Sequence, residues 1–577
     1  MLHLINGFIF LGWLIPNHYF PWLSGWNEAT SIAGLFLLGF YILHIHNFSF
    51  KISRQFFIFF ILVFFLPWLQ FAAGLLMFAG DAVMVSFYAC LGLMAVCLGN
   101  WLYIKSTEGI HALASSCALA AIFSTGIALV QWTGALSLGI YGAELPPDSR
   151  PFGNVAQPNH LNTLCFLGIC CIFWLYEQQY IGRTGFWFGT LFLFAGMLLS
   201  QSRTGWLQIA LLITLGSIQS LRMQNRISLR KLSLLGSIFF TGVLLWSPLN
   251  DLLLLSSGRD LTSQMHPGTR PAYWLSMLDA LWREPWWGYG WQQVGAAQQN
   301  VAIDHSPSIE YFEHSHNLVL DLMIWNGIPI GIFLASMLAF WSCQKIRNYT
   351  KAQTGWLLAA FIGLGIHAML EFPLEYAYFL IPAGLLIGCI EASTPQANIR
   401  FVTIPRKVFA GCLAAVTGVS MIVAGEWLAA EANYRSLRFE SARIGEQDMA
   451  SEPPNFRLLT QISAFLTFAR TEATPDMSAE QVEWMHKVSM RFGYPPAMLR
   501  YALAAGLNGS PREAEITLQR ICHIHGPQRC AEAQEGWQLL QQQFPQLQQI
   551  PGPQPITPIS PYRPAIPPTS LPVSPVP

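Results

Sequence analysis

Two histidines stand two positions apart in the sequence His314-Ser315-His316-Asn317. An unperturbed imidazole has a pKa of about 6.5, which suits a general base at neutral pH. A hydrogen-bonded pair at the membrane interface is the plainer interpretation, and a two-histidine metal site is less favoured because helical metal motifs space their ligands four apart. The two histidines are therefore candidates for a general base, and the motif alone does not decide between them.

A second group of residues could bind an anion. Arg203 stands in a short polar turn, residues 200–205, and its guanidinium could hold a phosphate through two parallel hydrogen bonds. An arginine at the end of a membrane span also commonly serves as an interface anchor. Gln157 and Asn159 open another apolar run, where donors arrayed at a helix N-terminus favour anions.

A carboxylate and aromatic rings complete the candidates. Glu371 lies in a proline-containing turn between two short apolar runs, where it could orient a histidine or receive an arginine. Tyr273 and Trp291 belong to a segment rich in Trp, Tyr and Gly, residues 268–291. Such rings form either a belt at the membrane interface or platforms that stack on sugar faces, and composition alone favours the belt.

Membrane helices must position all these residues. Hydrophobic residues make up 53% of the 577 residues and charged residues only 11%, against about a quarter charged in ordinary soluble domains. Apolar runs near the ~20 residues that cross a bilayer become helices, because lipid offers no partners for exposed backbone groups. We predict an all-α polytopic membrane protein with about 13 transmembrane helices. The predicted spans are residues 4–22, 30–47, 55–79, 82–104, 110–136, 160–178, 184–200, 204–221, 232–248, 317–341, 355–371, 375–391 and 407–428.

The distribution of basic residues predicts the orientation of these spans. With the N-terminus in the cytoplasm, the cytoplasmic connections contain fourteen Lys and Arg residues, whereas the opposite side through residue 316 contains five. Basic residues accumulate in the cytoplasmic loops of membrane proteins. The candidate residues therefore share the outer face, together with everything after residue 429.

The chain changes character after its last predicted span. The polar part contains short amphipathic helices, and residues 495–506 with the segment that follows suggest a tetratricopeptide-like pair or an irregular helical cap. Cys522 and Cys530 lie here, in a region that could be oxidising if it is exported. The predicted domains are N-terminal membrane helices, a periplasmic catalytic loop, C-terminal membrane helices, a periplasmic helical domain and a proline-rich tail, at residues 1–247, 248–316, 317–428, 429–549 and 550–577.

Several of these motifs follow one another in an order that is typical of one enzyme family. They are Gln157 with Asn159, the Ser202-Arg203 turn, Arg270 before a Trp/Gly-rich segment, the His-Ser-His-Asn motif and Leu370-Glu371-Phe372-Pro373-Leu374. From about residue 150 to 390 the chain resembles the bacterial O-oligosaccharyltransferases of PglL type, within the superfamily of O-antigen ligases and Wzy-type polymerases. The polar region after the last span also fits that type.

The resemblance implies an activity, its partners and the roles of single residues. Such enzymes take a glycan from a polyprenyl diphosphate carrier, here undecaprenyl diphosphate, at the periplasmic face of the inner membrane. They transfer it to Ser or Thr of an exported protein such as a pilin. His316 matches the family's essential histidine, with His314 as the alternate, and Arg203 and Arg270 suit the departing diphosphate. Neither a metal nor a cofactor is expected. The residues expected to bind substrate are Gln157, Asn159, Glu371, Tyr273 and Trp291.

Other functions fit parts of the sequence. An O-antigen ligase would use a lipid A core sugar as acceptor, and a Wzy-type polymerase would use another glycan repeat. The exported C-terminal region favours a protein acceptor instead. A lipid-linked glycan transporter would place charged or broken helices near the midplane, whereas the polar residues here gather on one face. Nucleic acid is not an expected partner, because no basic cluster with interleaved aromatic residues is present.

Overall fold

The structure, a computed structural model, describes residues 2–45, 49–147, 149–223, 225–253, 268–394, 400–441 and 452–555. The proline-rich tail beyond position 555 lies outside the described residues. So do residues 254–267 of the predicted catalytic loop, residues 248–316, which is called the long loop below. Within the described ranges the first nine helices are α1 (Leu2–Leu11), α2 (Gly25–Ile45), α3 (Arg54–Ala72), α4 (Ala79–Lys105), α5 (Thr107–Thr133), α6 (Pro158–Glu177), α7 (Arg183–Ser200), α8 (Arg203–Arg222) and α9 (Leu229–Leu253). The others are α10 (Arg270–Arg283), α11 (Val294–Val301), α12 (Leu318–Asn348), α13 (Ala352–Ala368), α14 (Ala377–Ser393), α15 (Arg406–Ser441), α16 (Thr460–Arg470), α17 (Ala479–Arg491), α18 (Pro495–Leu507) and α19 (Pro511–Gln543).

Helices stand where the apolar runs predict membrane spans. Each predicted span falls on one of the helices α1 to α9 or α12 to α15, although the first helix is shorter than predicted and gives way to a 3-10 turn that ends at Leu14. Among the described residues, nine helices are long and apolar enough to cross a membrane. The chain is thus a helical polytopic membrane protein, and the count of thirteen crossings stays a prediction.

The chain divides into two compact units, each assembled from segments that are distant in sequence. The bundle unit consists of Met1–Phe64, Ser86–His266 and Ser336–Ala424. The motif unit consists of Phe65–Val85, Pro267–Ala335 and Gly425–Pro577. The motif unit therefore combines much of the long loop, which contains the His-Ser-His-Asn motif, with the polar C-terminal region.

A small sheet supplements the predicted helices. Strand β1 (Phe50–Ser53) pairs antiparallel with β2 (Phe401–Ile404), so that the first residue of each strand faces the last residue of the other. Phe50 is buried, and Ser53 N donates a hydrogen bond to the Glu391 carboxylate at 3.1 Å. The sequence predicts only helices and connections here, so this pair of four-residue strands is an addition to an otherwise helical fold. Pairing between such distant segments leaves no local signal in the sequence.

Glycines let two helices of the bundle unit approach each other closely. A Cβ added to Gly99 of α4 would lie 2.3 Å from the carbonyl oxygen of Leu385 in α14. One added to Gly388 of α14 would lie 2.2 Å from the carbonyl oxygen of Val96 in α4. Small residues commonly mediate helix contact in membranes, where lipid gives helices little hydrophobic reason to associate. The contact between α4 and α14 therefore depends on backbone meeting backbone.

The described part of the polar region after α15 contains the four helices α16 to α19. Helices α17 and α18 coincide with the amphipathic segments that the sequence indicates, and α17 begins with a capping box formed by Ser478 and Gln481. Buried side chains such as Met485 and Met498 form a hydrophobic core for this region. Cys522 and Cys530 of α19 form a disulfide. The tetratricopeptide-like pair stays a prediction.

Replacing Gly388 by alanine should weaken the contact between α4 and α14, because the added methyl group has no space against the Val96 carbonyl. Over-packing of this kind destabilises by about 1–3 kcal/mol. We expect Gly388→Ala in detergent to unfold at a clearly lower temperature than the unchanged protein, measured by heating followed by size-exclusion chromatography. Gly126→Ala is the matched control, because a Cβ at Gly126 meets nothing within 4 Å. Equal unfolding temperatures for the two variants would contradict the close contact.

Candidate active site

The His-Ser-His-Asn motif lies at the N-terminal end of α12, in the motif unit. Asn317 caps this helix, since its side-chain oxygen accepts hydrogen bonds at 3.1 Å from the main-chain N–H groups two and three residues further on. His314 and Ser315 are buried, whereas His316 is partly exposed. His316 has a φ of 57°, a left-handed conformation that is uncommon for residues other than glycine. Of the two histidines, His316 is the one with an accessible side chain.

Side chains of α10 hold the main chain of this motif. The indole N–H of Trp274 donates to Ser315 O at 2.8 Å, and the Tyr273 hydroxyl donates to His314 O at 3.4 Å. Tyr273 is 3% exposed, and its ring packs against Phe312. Burial raises the pKa of Tyr273 well above its usual range, so its hydroxyl remains a donor. This position favours a supporting role for Tyr273, and its role in substrate binding stays a prediction.

A carboxylate that the sequence reasoning overlooked completes this support. Asp321 lies on the first turn of α12, is 2% exposed, and accepts a hydrogen bond from Ser315 N at 2.7 Å through Oδ1. It also lies close enough to His316 for a direct electrostatic interaction. A carboxylate buried in a membrane helix is costly unless it is paired or hydrogen-bonded. An acidic residue inside an apolar run, five positions after His316, is the sequence signal that points to it.

Helix α10 also carries Arg270, which is its first residue and is partly exposed. At the other end of the helix, Arg283 donates to Asp279 at 2.8 Å, and the His305 ring lies 2.9 Å from the same carboxylate. The hydrogen bonds from His305 and Arg283 lower the pKa of Asp279. The helix that presents Arg270 is thereby attached to the segment that leads into the motif.

The aromatic residues of the long loop differ in exposure. Trp291, which the sequence suggested as a sugar platform, is 5% exposed and stacks on Trp325 with ring centroids 4.7 Å apart. Trp282, Trp286 and Trp287 are 71%, 70% and 67% exposed. A ring can stack on a sugar or enter the membrane interface only through an exposed face. Exposure therefore favours these three residues for such contacts, and substrate binding by Trp291 stays a prediction.

In the bundle unit, Asn159 joins other predicted residues. Its Nδ2 donates to Glu371 Oε1 at 2.9 Å, and its Oδ1 accepts from Ser202 Oγ at 2.7 Å. Ser202 is the N-cap residue of α8, in which Arg203 is the first residue. Gln157 is likewise the N-cap residue of α6. The structure thus brings Asn159, Glu371 and the Ser202-Arg203 turn together.

The turn before Arg203 has an unusual backbone that a second arginine supports. Gln201 ends α7 with a φ of 47°, in the left-handed region. Arg150 Nη1 donates to Ser200 O and Gln201 O at 3.1 and 3.2 Å, which satisfies carbonyls near the end of the helix. Ala156, which directly precedes Gln157, also has a positive φ of 58°. Backbone in this conformation clusters at functional sites in many proteins.

The predicted residues therefore fall into two groups, one in each unit. Those of the motif unit are His314, His316, Arg270, Tyr273 and Trp291. Those of the bundle unit are Gln157, Asn159, Arg203 and Glu371. Within the part of the chain that the structure describes, no group of three or more His, Cys, Asp or Glu side chains could hold a metal ion.

Known proteins resemble the chain over most of its length. Residues 188–335 match the family model described as O-antigen ligase, and residues 354–540 match the one described as virulence factor membrane-bound polymerase, C-terminal. The chain is 28% identical over 541 residues to a general O-oligosaccharyltransferase of Acinetobacter baylyi, covering 90% of this chain and 91% of that protein. It is 26% identical over 426 residues to a ComP-specific O-oligosaccharyltransferase of the same organism, covering 71% and 75%.

The matched ranges contain most of the residues that suggested the family. Arg203, Arg270 and His316 lie in the range that matches O-antigen ligases, and Glu371 lies in the second matched range. The two family models together cover more than half of the chain. The resemblance found in the sequence is thereby confirmed: parts of the chain match the models of O-antigen ligases and membrane-bound polymerases, and most of its length is similar to O-oligosaccharyltransferases.

Proposed function

We propose that the chain is an O-oligosaccharyltransferase, which moves a preassembled glycan from a polyprenyl diphosphate carrier to a Ser or Thr hydroxyl of an exported protein. The observation that carries this proposal is the fixed main chain around His316. Trp274 and Asp321 hold the peptide groups on both sides of Ser315, while the His316 side chain remains accessible. The motif lies in the range that matches O-antigen ligases, and both curated relatives are named O-oligosaccharyltransferases.

The reaction forms a bond between the acceptor oxygen and the anomeric carbon of the glycan. It breaks the bond between that carbon and the diphosphate oxygen, which leaves with the bonding electron pair. The acceptor hydroxyl loses its proton, and the His316 imidazole receives it as general base. The buried carboxylate of Asp321 stabilises the imidazolium that results, because opposite charges attract strongly away from water. This assignment explains why a costly carboxylate lies beside the motif.

The departing diphosphate gains negative charge as the bond breaks. Guanidinium groups stabilise such charge through two parallel hydrogen bonds at fixed geometry. We assign this task to Arg203 and Arg270, which are the first residues of α8 and α10. The diphosphate already activates the carbon that is attacked, so orientation of the two substrates supplies much of the remaining rate.

We propose that the reaction occurs at the periplasmic face of the bacterial inner membrane. The distribution of Lys and Arg supports an outward orientation of the motif. The disulfide between Cys522 and Cys530 also fits an oxidising compartment. The proposed partners are undecaprenyl-diphosphate-linked glycan, a pilin-like acceptor protein and the bilayer, which holds the carrier chain.

Replacing His316 by alanine should abolish most of the transfer, because removal of a general base lowers the rate by about 10²- to 10⁴-fold. The measurement is the initial rate at which the purified protein moves glycan from its undecaprenyl diphosphate carrier to an acceptor. The increase in the acceptor's mass, determined by mass spectrometry, reports the transfer. His44→Ala is the control, since His44 is exposed at the end of α2, and it should transfer at the unchanged rate. Unchanged transfer by His316→Ala would remove the base assignment.

Replacing Arg203 or Arg270 by lysine should lower kcat by about ten- to a hundredfold, because the charge remains while the paired hydrogen bonds are lost. The KM for the lipid-linked glycan should change much less than kcat. Arg400→Lys is the matched control, since Arg400 is exposed in a connection predicted to be cytoplasmic. A variant with unchanged kcat and raised KM would show that its arginine binds the carrier without favouring the transition state.

Cells with and without this chain should differ in the glycan on exported proteins. Because the proposal names a protein hydroxyl as acceptor, mass spectrometry should find the glycan on Ser or Thr of exported proteins only when the chain is present. Gels of lipopolysaccharide from the same cells serve as the comparison and should be unchanged. Glycan lost only from lipopolysaccharide would instead identify an O-antigen ligase, and shortened glycan chains would identify a polymerase.

A further inference from the structure

The segment that leads into the His-Ser-His-Asn motif contacts the C-terminal helical region. This lead segment, residues 302–313, begins after α11 and belongs to the motif unit with that region. It contains a 3-10 turn at Ala302–Asp304 and no other helix or strand. A segment without regular structure satisfies its backbone groups through other parts of the molecule. The contacts of the lead segment therefore fix the conformation of the residues just before the motif.

The first contact uses a break in α19. Gly526 interrupts this helix with a φ of 79°, and Pro527 follows. Proline has no N–H, so the carbonyl of His523, four residues earlier, loses its helical partner. Ser308 N donates to this carbonyl at 2.9 Å, and His523 Nδ1 lies 3.1 Å from His305 O. The break thus offers the lead segment an acceptor that an uninterrupted helix would use itself.

A disulfide spans the same break. Cys522 precedes Gly526 by four residues and Cys530 follows it by four, and the two sulfurs are bonded. The bridge limits how far the two parts of α19 can move relative to each other. It thereby limits the movement of the His523 carbonyl, to which the lead segment is hydrogen-bonded.

The second contact involves the turn between α17 and α18. The Tyr311 hydroxyl donates to Arg491 O at 3.1 Å, and the Tyr494 hydroxyl donates to Glu313 Oε1 at 3.1 Å. A Cβ added to Gly493 would lie 2.6 Å from Cε2 of Tyr311. The Tyr311 ring is therefore seated against the backbone of this turn, three residues before His314.

The turn is itself held in place. Burial lowers the pKa of His525 to about 4, so its imidazole is neutral at neutral pH and its Nε2–H donates to Gly493 O at 2.7 Å. Arg491 pairs with Asp81 at 3.0 Å. Burial opposes the charge of Arg491, but the Asp81 carboxylate, together with Glu313 and Tyr311, raises the pKa of Arg491. Both attachments leave the turn little freedom to move away from Tyr311.

We infer that Ser308 and Tyr311 are positioning residues of the transferase site, through which the bridged break in α19 and the turn at Gly493 set the conformation of the His-Ser-His-Asn motif. The C-terminal region then takes part in catalysis by orienting His316, in addition to any contact it makes with an acceptor. The inference rests on the proposed function. A positioning role predicts that kcat changes when these contacts are disturbed. An acceptor-binding role for the same region predicts that the KM for the acceptor changes.

The test compares two glycine substitutions in the C-terminal region. Gly493→Ala pushes on the Tyr311 ring, whereas Gly536→Ala adds a Cβ that meets only Leu499 at an ordinary 3.5 Å. Because a misplacement of about 1 Å can lower a rate by up to 10²-fold, we expect Gly493→Ala to lower kcat about tenfold with an unchanged KM for the acceptor. Gly536→Ala should keep both parameters. A raised acceptor KM with unchanged kcat would overturn the inference in favour of acceptor binding alone.

Hydrogen–deuterium exchange gives a measurement that does not depend on transfer. Peptides covering residues 305–317 should exchange faster in Gly493→Ala, and in the double variant Cys522→Ser with Cys530→Ser, than in the full-length unchanged protein or Gly536→Ala.

If Gly493→Ala does not fold, Tyr311→Phe replaces it as the test variant. This substitution removes only the hydroxyl that contacts Arg491, and it should change kcat and exchange in the same direction. Unchanged exchange and unchanged kcat in the folded variants would overturn the inference. Absence of transfer by the unchanged protein, with faster exchange in the variants, would count against the proposed function alone.

Discussion

Buried and half-buried carboxylates that accept hydrogen bonds from main-chain N–H groups hold distant parts of this chain together. A carboxylate removed from water is tolerated when it receives hydrogen bonds, and bonds to a charged acceptor are stronger than those between neutral groups. The pattern recurs in both units, and in four of the cases it crosses more than thirty residues of sequence. The pairs are Glu28 with Ala377 N, Glu177 with Arg226 N and Ile227 N, Glu391 with Ser53 N, Glu426 with Leu458 N and Leu459 N, and Asp321 with Ser315 N.

The last of these pairs lies next to a residue with an uncommon backbone conformation. His316 occupies a left-handed conformation, which costs of the order of 1–3 kcal/mol for a residue with a side chain. The hydrogen bonds of Trp274 and Asp321 to Ser315 fix the peptide before His316, and Asn317, which follows it, caps α12. The neighbouring structure therefore determines the His316 backbone before any substrate binds. Orientation that is fixed in advance does not have to be created during the reaction.

The sequence could predict the features that local physics dictates. Apolar runs had to become helices, because lipid offers their backbone no other partner, and the outer-face grouping placed Asn159 with Glu371 although 212 positions separate them. The sequence could not predict individual contacts that form only when distant segments fold together. Nothing in the sequence says that Asp321 accepts from Ser315 N, or that Ser308 bonds to His523. The burial of Tyr273 and Trp291 was equally hidden, since composition does not distinguish a ring inside the loop from one on its surface.

The contacts of the lead segment also define which parts of such a chain can be exchanged between relatives. Residues 452–555 look like a separate module along the sequence, yet their turn at Gly493 and their helix break at Gly526 fit Tyr311 and Ser308 of the long loop. A chimera that replaces the C-terminal region alone would set a foreign turn against the native loop. The smallest exchangeable piece is therefore discontinuous, and it combines residues 294–317 with the C-terminal helices. If both segments are transferred together, the two residues of each contact between the lead segment and the C-terminal helices come from the same parent protein.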